Sequence, residues 1–542
     1  MRIFSSLMAV CFLLACNEKQ KADLLVYHAT IYSVDSNFRQ YEAMVVKDGN
    51  ILDIGSNAAI LDKYAATDTL DAGGQFIYPG FIDAHSHFVA YAMGLQTVNL
   101  VGTESWGAIL DTVSAFAVKH PQGWITGNGW DQNDWTAKTF PTNAALNTMF
   151  PDRPVILSRI DGHAAIANNA ALKLAGIKAG QTIIGGEIEV KNGQLTGILI
   201  DNAMNLVYNK APGTTPDLLK KALLEAQANC FAMGLTTLDD CGLNYKEVLS
   251  LDSMQKSGAI KMRIYAMLSD APENYAFIFA KGKIKTDRLN VRSFKVYADG
   301  ALGSRGACLL QPYTDQPGHS GFLLSNPEHF DSVAALISSK GFQMCTHAIG
   351  DSGNRMILNT YAKYLKGKND QRWRIEHAQV INQLDFSKFG DNSIIPSVQP
   401  THATSDMYWA GERLGPEREK GAYAFKQLKE QNGWVALGTD FPVEDISPFK
   451  TFYAAVVRKD AKGYPAAGYQ MENALSREDA LRGMTIWAAK SNFEENEKGS
   501  LEIGKMADFI LLDKDLLKVP PAELLSTRVL HNYLGGERVF SR

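Results

Sequence analysis

Between residues 77 and 439 the chain repeats one unit, a short apolar and often β-branched run followed by a longer stretch of helical periodicity. Strand-like runs fall near 77–84, 235–240, 262–268, 292–297, 343–347, 373–377, 394–398 and 434–439. The interval "PDLLKKALLEAQANCFAMG" at 216–234 is the clearest amphipathic helix between them. Strands buried on both faces read as continuous apolar runs, and parallel neighbours need a crossover, usually helical. Eight such strands are the number that closes a (β/α)8 barrel, so the expected class is α/β with a TIM barrel.

The two ends of the chain read differently. Residues 23–78 alternate short apolar runs with turns, and Asp48-Gly49-Asn50 supplies a tight hairpin turn. "GSLEIGKMADFILLDKD" and "RVLHNYLGGERVF" repeat the pattern near the C-terminus. One composite β-sandwich over 22–78 and 499–542 is therefore expected, beside a barrel over 79–498. The first crossover, 88–215, is much longer than one helix requires. It holds "GWITGNGWDQNDW" and a hairpin in "GGEIEVKNGQLTGIL", and reads as a subdomain of about 100–215 inserted over the barrel mouth.

Lys and Arg total 54 against 58 Asp and Glu, a net charge of −4. That near-balance argues against a nucleic-acid partner, which would need a basic stripe. The first residues, "MRIFSSLMAVCFLLACNEKQ", have a basic start, an apolar run too short to span a bilayer and an abrupt polar switch. "LLAC" resembles a bacterial lipobox, which makes 1–16 a lipoprotein signal peptide with Cys16 as the lipidated residue. The expectation is an exported, periplasmic or cell-surface protein whose only membrane contact is the Cys16 anchor, with a homodimer as a compatible assembly. Cys230, Cys241, Cys308 and Cys345 lack CxxC spacing, so neither a zinc ribbon nor a disulfide framework is indicated.

Barrel active sites lie at the C-terminal ends of the strands. There the sequence places His85 and His87 in "DAHSH", Lys295 in "FKVYADGALGSR", His347 in "THAIGD", His377 in "RIEHA" and Asp440 in "LGTD". Alternate strand residues share a face, so His85 and His87 can grip one cation. Imidazole with carboxylate suits zinc best, with manganese, iron and nickel also compatible. Lys295 is the anomaly. A strand lysine usually covers apolar surface with its stem and sends its ammonium to water, whereas here it stands among metal-ligand residue types.

With these motifs in this order, the chain resembles the amidohydrolase superfamily of metal-dependent hydrolases, and within it the branch that includes N-substituted formamide deformylases. The likeness spans the mature chain, from "YPGFIDAHSHF" through "RIEHAQ" and "GTDFPV" to "GSLEIGKMADFILLD". It implies two divalent metals, with zinc preferred. His85, His87 and Asp440 would hold the more buried one, and His347 and His377 the second. It further implies that CO2 carboxylates Lys295 to a carbamate bridging both, and that Asp440 is the general base. Burial is expected to lower the lysine's pKa and expose the nucleophilic amine.

Weaker candidates lie on the insert and nearby loops. Trp130, Asp131, Trp135 and His163 would line a substrate cavity, or else pack the subdomain. Arg305 would clamp a substrate carboxylate, or else form a loop salt bridge. His402 would reach the pocket without a metal role. The leading expectation is hydrolysis of a non-peptide C–N bond, an amide or formamide, in a small molecule. An esterase or lactonase on the same site and a non-catalytic ligand-binding lipoprotein are the alternatives.

Overall fold

The computed structural model describes residues 19–542; the signal-peptide and Cys16 readings fall outside them. Eight parallel strands form the central sheet in chain order. They are β1 (Phe81–Ser86), β2 (Leu235–Leu243), β3 (Arg263–Ser269), β4 (Leu289–Tyr297), β5 (Gln343–Ala348), β6 (Arg374–His377), β7 (Ile395–Val398) and β8 (Ala436–Leu437). The expected barrel is present, with amphipathic helices outside it. Pro216–Ala232 shows why they form: Thr215 caps the helix by accepting from the Leu218 N–H, Pro216 fits the first turn, and Ala222, Leu223, Ala226 and Cys230 face inward.

Strand β1 is shorter at its start than the expected 77–84. The apolar run divides at Gly80: Phe76–Pro79 joins an end sheet and Phe81–Ser86 joins the barrel. A Cβ at Gly80 would collide with the Thr236 side chain, so only glycine lets the chain cross there. Strand β8 keeps two ladder residues, and side chains close the barrel beyond them. The Asp83 carboxylate accepts from the Thr439 N–H at 2.9 Å and the Thr439 hydroxyl at 2.7 Å, while the Asp440 N–H donates to the His85 carbonyl at 2.7 Å.

Both ends of the chain build a two-sheet layer. One sheet runs Asn50–Gly55, Ala43–Lys47, Gln20–Tyr27, Tyr64–Asp71 in space, and the other contains Phe509–Leu512 between Val529–Leu534 and Phe76–Pro79. Leu24, Val26, Met44 and Val46 of the first pack against Ile31, Ile77, Phe509 and Leu511 of the second. Asp48 and Gly49 both take positive φ, as the hairpin turn requires. A third sheet of six strands, spanning Val98 to Asp201, has its own apolar cores. Its strands Gly186–Lys191 and Gln194–Asp201 form the expected hairpin. Among the described residues no helix is long and apolar enough to cross a membrane, and Cys230, Cys241, Cys308 and Cys345 are free thiols.

Candidate metal centre

The C-terminal ends of the strands open into a cleft of ≈ 1900 Å³, bounded by the barrel loops and the inserted sheet. His87, Lys295, His347, His377, His402 and Asp440 line it from the barrel; Asp131, Arg159, Asp161, His163 and Asp201 line it from the insert. At its floor the ligand-type atoms of His85, His377 and Asp440 lie within 4.8 Å of one another, all three side chains buried. Asp440 Oδ1 lies 3.2 Å from His87 Nε2 and 3.6 Å from His85 Nε2; Oδ2 lies 3.5 Å from His402 Nε2. The His347 ring stands beside His377, with centroids 4.5 Å apart.

The backbone is bent to achieve this. His377 and Asp440 take φ of 73° and 65°, values that L-residues rarely adopt outside sites that over-determine them. In β6 the alternation Arg374-x-Glu376 turns both charged residues to one buried face. The left-handed turn at His377 then brings its ring back to the centre as well.

Buried partners orient the imidazoles. His85 Nδ1 donates to Glu376 Oε2 at 2.6 Å, and Glu376 Oε1 is paired with Arg374 at 3.1 Å. Arg374 continues to Asp239 at 2.8 Å. His377 Nδ1 donates to Gln399 Oε1 at 2.8 Å. With Nδ1 committed, His85 turns its Nε2 lone pair to the centre, 3.6 Å from Asp440 Oδ1, the arrangement of metal-ligating histidines.

Electrostatics point the same way. Burial and then the neighbouring Lys295 push His85 down to about 4. Burial and adjacent cationic groups also hold His347 and His377 well below the usual imidazole range. For Asp440 burial works upward, but His85, His87 and His402 outweigh it and hold the carboxyl far down. Glu376 is likewise pushed up by burial and then held at about 2 by Arg374 and His85. His85, His347 and His377 are thus neutral imidazoles near the Asp440 carboxylate. Asp440 Oδ1 is buried with no hydrogen-bond partner among the described residues. An acceptor-rich set with an orphaned carboxylate oxygen fits a divalent cation.

Lys295 is buried, its Nζ 3.0 Å from His85 Nε2 and 4.9 Å from the Tyr297 ring centre. The expected lowering of its pKa is corrected. Burial pulls it down, but Tyr297, Cys241, Glu376 and Asp440 together outweigh burial and raise it. Tyr297 and Cys241 first, and then the two carboxylates, reverse the sign, and none of these neighbours is visible in a reading of the strand alone.

Three weaker candidates stand elsewhere. Trp130 is fully buried in the core of the insert, its Nε1 donating to the Leu157 carbonyl at 2.8 Å, and Trp135 packs beside it. Arg305 pairs with Asp315 at 2.8 Å outside the cleft lining. Asp131 and His163 do reach the cleft. Asp131 is paired with Arg159, which also binds Asp161 at 2.6 Å. His402 reaches Asp440, as its position after the seventh strand suggests. The sequence reading missed Glu376, Gln399 and the Asp83–Thr439 clasp. The i, i+2 charges inside the apolar "RIEH" strand were the available signal for Glu376.

Comparison with known proteins finds relatives along nearly the whole chain. The sequence profile described as an amidohydrolase family matches residues 68–540. The protein LONG AFTER FAR-RED 3 of Arabidopsis thaliana is 33% identical over 96% of this chain and 92% of its own. The N-substituted formamide deformylase of Arthrobacter pascens is 26% identical over 96% of this chain and 99% of its own. The crystal structure of a metal-dependent hydrolase from Pyrococcus horikoshii OT3 superposes with a TM-score of 0.75 at 26% identity, covering 92% of this chain and 99% of that one.

Proposed function

The chain belongs to the amidohydrolase family of metal-dependent hydrolases, and on that premise we propose that it hydrolyses a non-peptide C–N bond, an amide or formamide, in a small molecule. The observation that carries the reading is the orphaned Asp440 carboxylate oxygen among His85, His87 and His377 on the cleft floor. The full-length similarity to the Arthrobacter pascens deformylase supports the choice of bond.

His85, His377 and Asp440 would hold one divalent cation, with His87 beside them. His347 and a carboxylated Lys295 would hold a second, and imidazole with carboxylate favours zinc. Such a cation, when bound, acidifies a water and polarises a carbonyl. The chain's residues supply the rest. Glu376 and Gln399 fix the tautomers of His85 and His377. Asp440 takes the attacking water's proton on its carboxylate and returns it to the leaving nitrogen. The insert roofs the cleft and sets which substrates fit.

The test compares chelator-stripped and zinc-restored protein on N-(4-nitrophenyl)formamide, N-(4-nitrophenyl)acetamide and 4-nitrophenyl acetate. Zinc-dependent cleavage of an amide, reduced ~10²–10⁴-fold in Asp440→Asn, is expected. Cleavage of the ester alone would move the reading to an esterase. Export and a Cys16 lipid anchor belong to the same proposal: wild type is expected in the membrane fraction and Cys16→Ser in the soluble one. A soluble wild type would contradict the anchor.

A further inference from the structure

The roof of the cleft carries an imidazole–carboxylate pair that none of the steps above uses. His163 immediately precedes the strand Ala164–Ala167, and Asp201 ends the strand Gln194–Asp201. These strands are antiparallel neighbours, with Ala164 opposite Ile200. The Asp201 N–H donates to the His163 carbonyl at 2.9 Å, and His163 Nδ1 meets Asp201 Oδ1 at 2.5 Å.

The insert bears a structural cost to place this pair. Asp201 takes φ 49° and ψ −123°, a conformation that strains a residue with a Cβ. Its side chain is 1% exposed, and Oδ2 has no hydrogen-bond partner among the described residues. Room for that oxygen comes from the loop after β4, because a Cβ at Gly300 or at Gly306 would collide with Asp201 Oδ2. Two of the three glycines in "DGALGSRG", Gly300 and Gly306, are thus explained by a carboxylate from the insert. A half-satisfied buried carboxylate is destabilising by itself. Among the described residues its one side-chain partner is His163.

With Nδ1 committed to Asp201, His163 has only its Nε2 edge left for another group. The ring lines the cleft, its side chain is 15% exposed, and its centroid lies 4.9 Å from that of His347. It therefore faces the metal centre from the opposite wall, on a different element from every candidate ligand. We propose that His163 touches the substrate beside the scissile bond through Nε2, and that Asp201 is its positioning residue. This rests on the hydrolase reading above and adds a second, insert-borne half to the reacting centre.

The experiment uses the zinc-loaded full chain and two probes, acetohydroxamic acid for binding and the best amide of the panel for turnover. His163→Ala is expected to keep the wild-type zinc content, weaken the calorimetric Kd for acetohydroxamate ~10-fold and lower kcat/KM ~100-fold. Asp201→Asn, which removes the charge but keeps the shape, is expected to lower kcat ~10-fold with a smaller change in KM. His163→Gln, which keeps a polar tip, is expected to recover part of the Kd loss and guards against a misfolded Ala variant. An unchanged Kd and kcat/KM in both His163 variants would overturn the proposal. So would loss of zinc in parallel with activity, which would make His163 a ligand. A wild type that binds acetohydroxamate but cleaves no amide would sink the amide reading alone, and the Kd comparison would still decide this one. A zinc-loaded wild type that does not bind acetohydroxamate would also count against it.

Discussion

Lys295 shows how far a single residue's chemistry depends on its neighbours. In its strand alone it reads as a lysine that sends its ammonium to water; in space it is an ammonium held beside His85 and within the field of Glu376 and Asp440. Because its pKa is raised, the amine needed for carbamate formation becomes more abundant as pH rises, so second-metal occupancy is expected to increase from pH 7 to 9 and with added bicarbonate. Metal analysis after desalting reads this, and a flat or falling profile would count against the carbamate. Lys295→Ala should lose metal and activity, with partial rescue by acetate or propionate; full two-metal occupancy in that variant would return the residue to an ordinary buried lysine. Glu376 acts one bond further out. Glu376→Gln keeps the size but weakens the hold on His85, and metal affinity should fall ~10–100-fold by competition titration. The histidine side of the centre has the same pH sense as Lys295, but its titration lies far lower. His85 stays neutral until about 4, so protons compete for it only as pH falls towards that value. Affinity of the first site should therefore change little between pH 8 and 5.5, where an exposed histidine cluster would already weaken through the usual imidazole range near 6.5.

At the scale of elements, the barrel depends on how its first and last strands meet. Gly438 sits against β1, where a Cβ would come within 2.5 Å of the His85 nitrogen and 2.8 Å of its Cβ. Gly438→Ala must push that contact apart, and a loss of ~1–3 kcal/mol is expected in urea unfolding, together with weaker metal binding because His85 moves. Thr439→Val removes the hydroxyl that Asp83 accepts and should cost ~1–3 kcal/mol. A stability unchanged by both substitutions would mean the strand ends are held by something other than this clasp. Strand positions were legible because buried parallel strands are apolar throughout, and the hairpin at Asp48-Gly49 because its turn needs positive φ. The division of the first strand at Gly80 was not legible, since the steric reason is Thr236, a residue far along the chain. His377 was legible as a ligand type, whereas Glu376 beside it was missed. Period-two alternation assigns them to opposite faces, and the left-handed backbone at His377 breaks that rule at the site itself.

Across the whole molecule, the barrel and the insert divide the chemistry. The barrel collects His85, His87, Lys295, His347, His377 and Asp440 from five strand ends. Each stands at the C-terminal end of a predictable strand, which is why this set could be read from the sequence. The insert contributes Asp131, Arg159, His163 and Asp201, whose neighbours are fixed by a sheet that no simple period announces. There the sequence reading could not tell Trp130, which packs the insert's core, from Asp131, which faces the cleft. Metal content should accordingly respond to substitutions in the barrel set, and substrate preference to substitutions in the insert. The most direct measurement is the rate of amide cleavage as zinc is added back to chelator-stripped wild type and Asp440→Asn. The account predicts a rate near zero without metal that rises and saturates with added zinc in wild type, and a curve that stays flat in the variant. Full activity in the metal-free wild type, or equal curves for the two proteins, would contradict it.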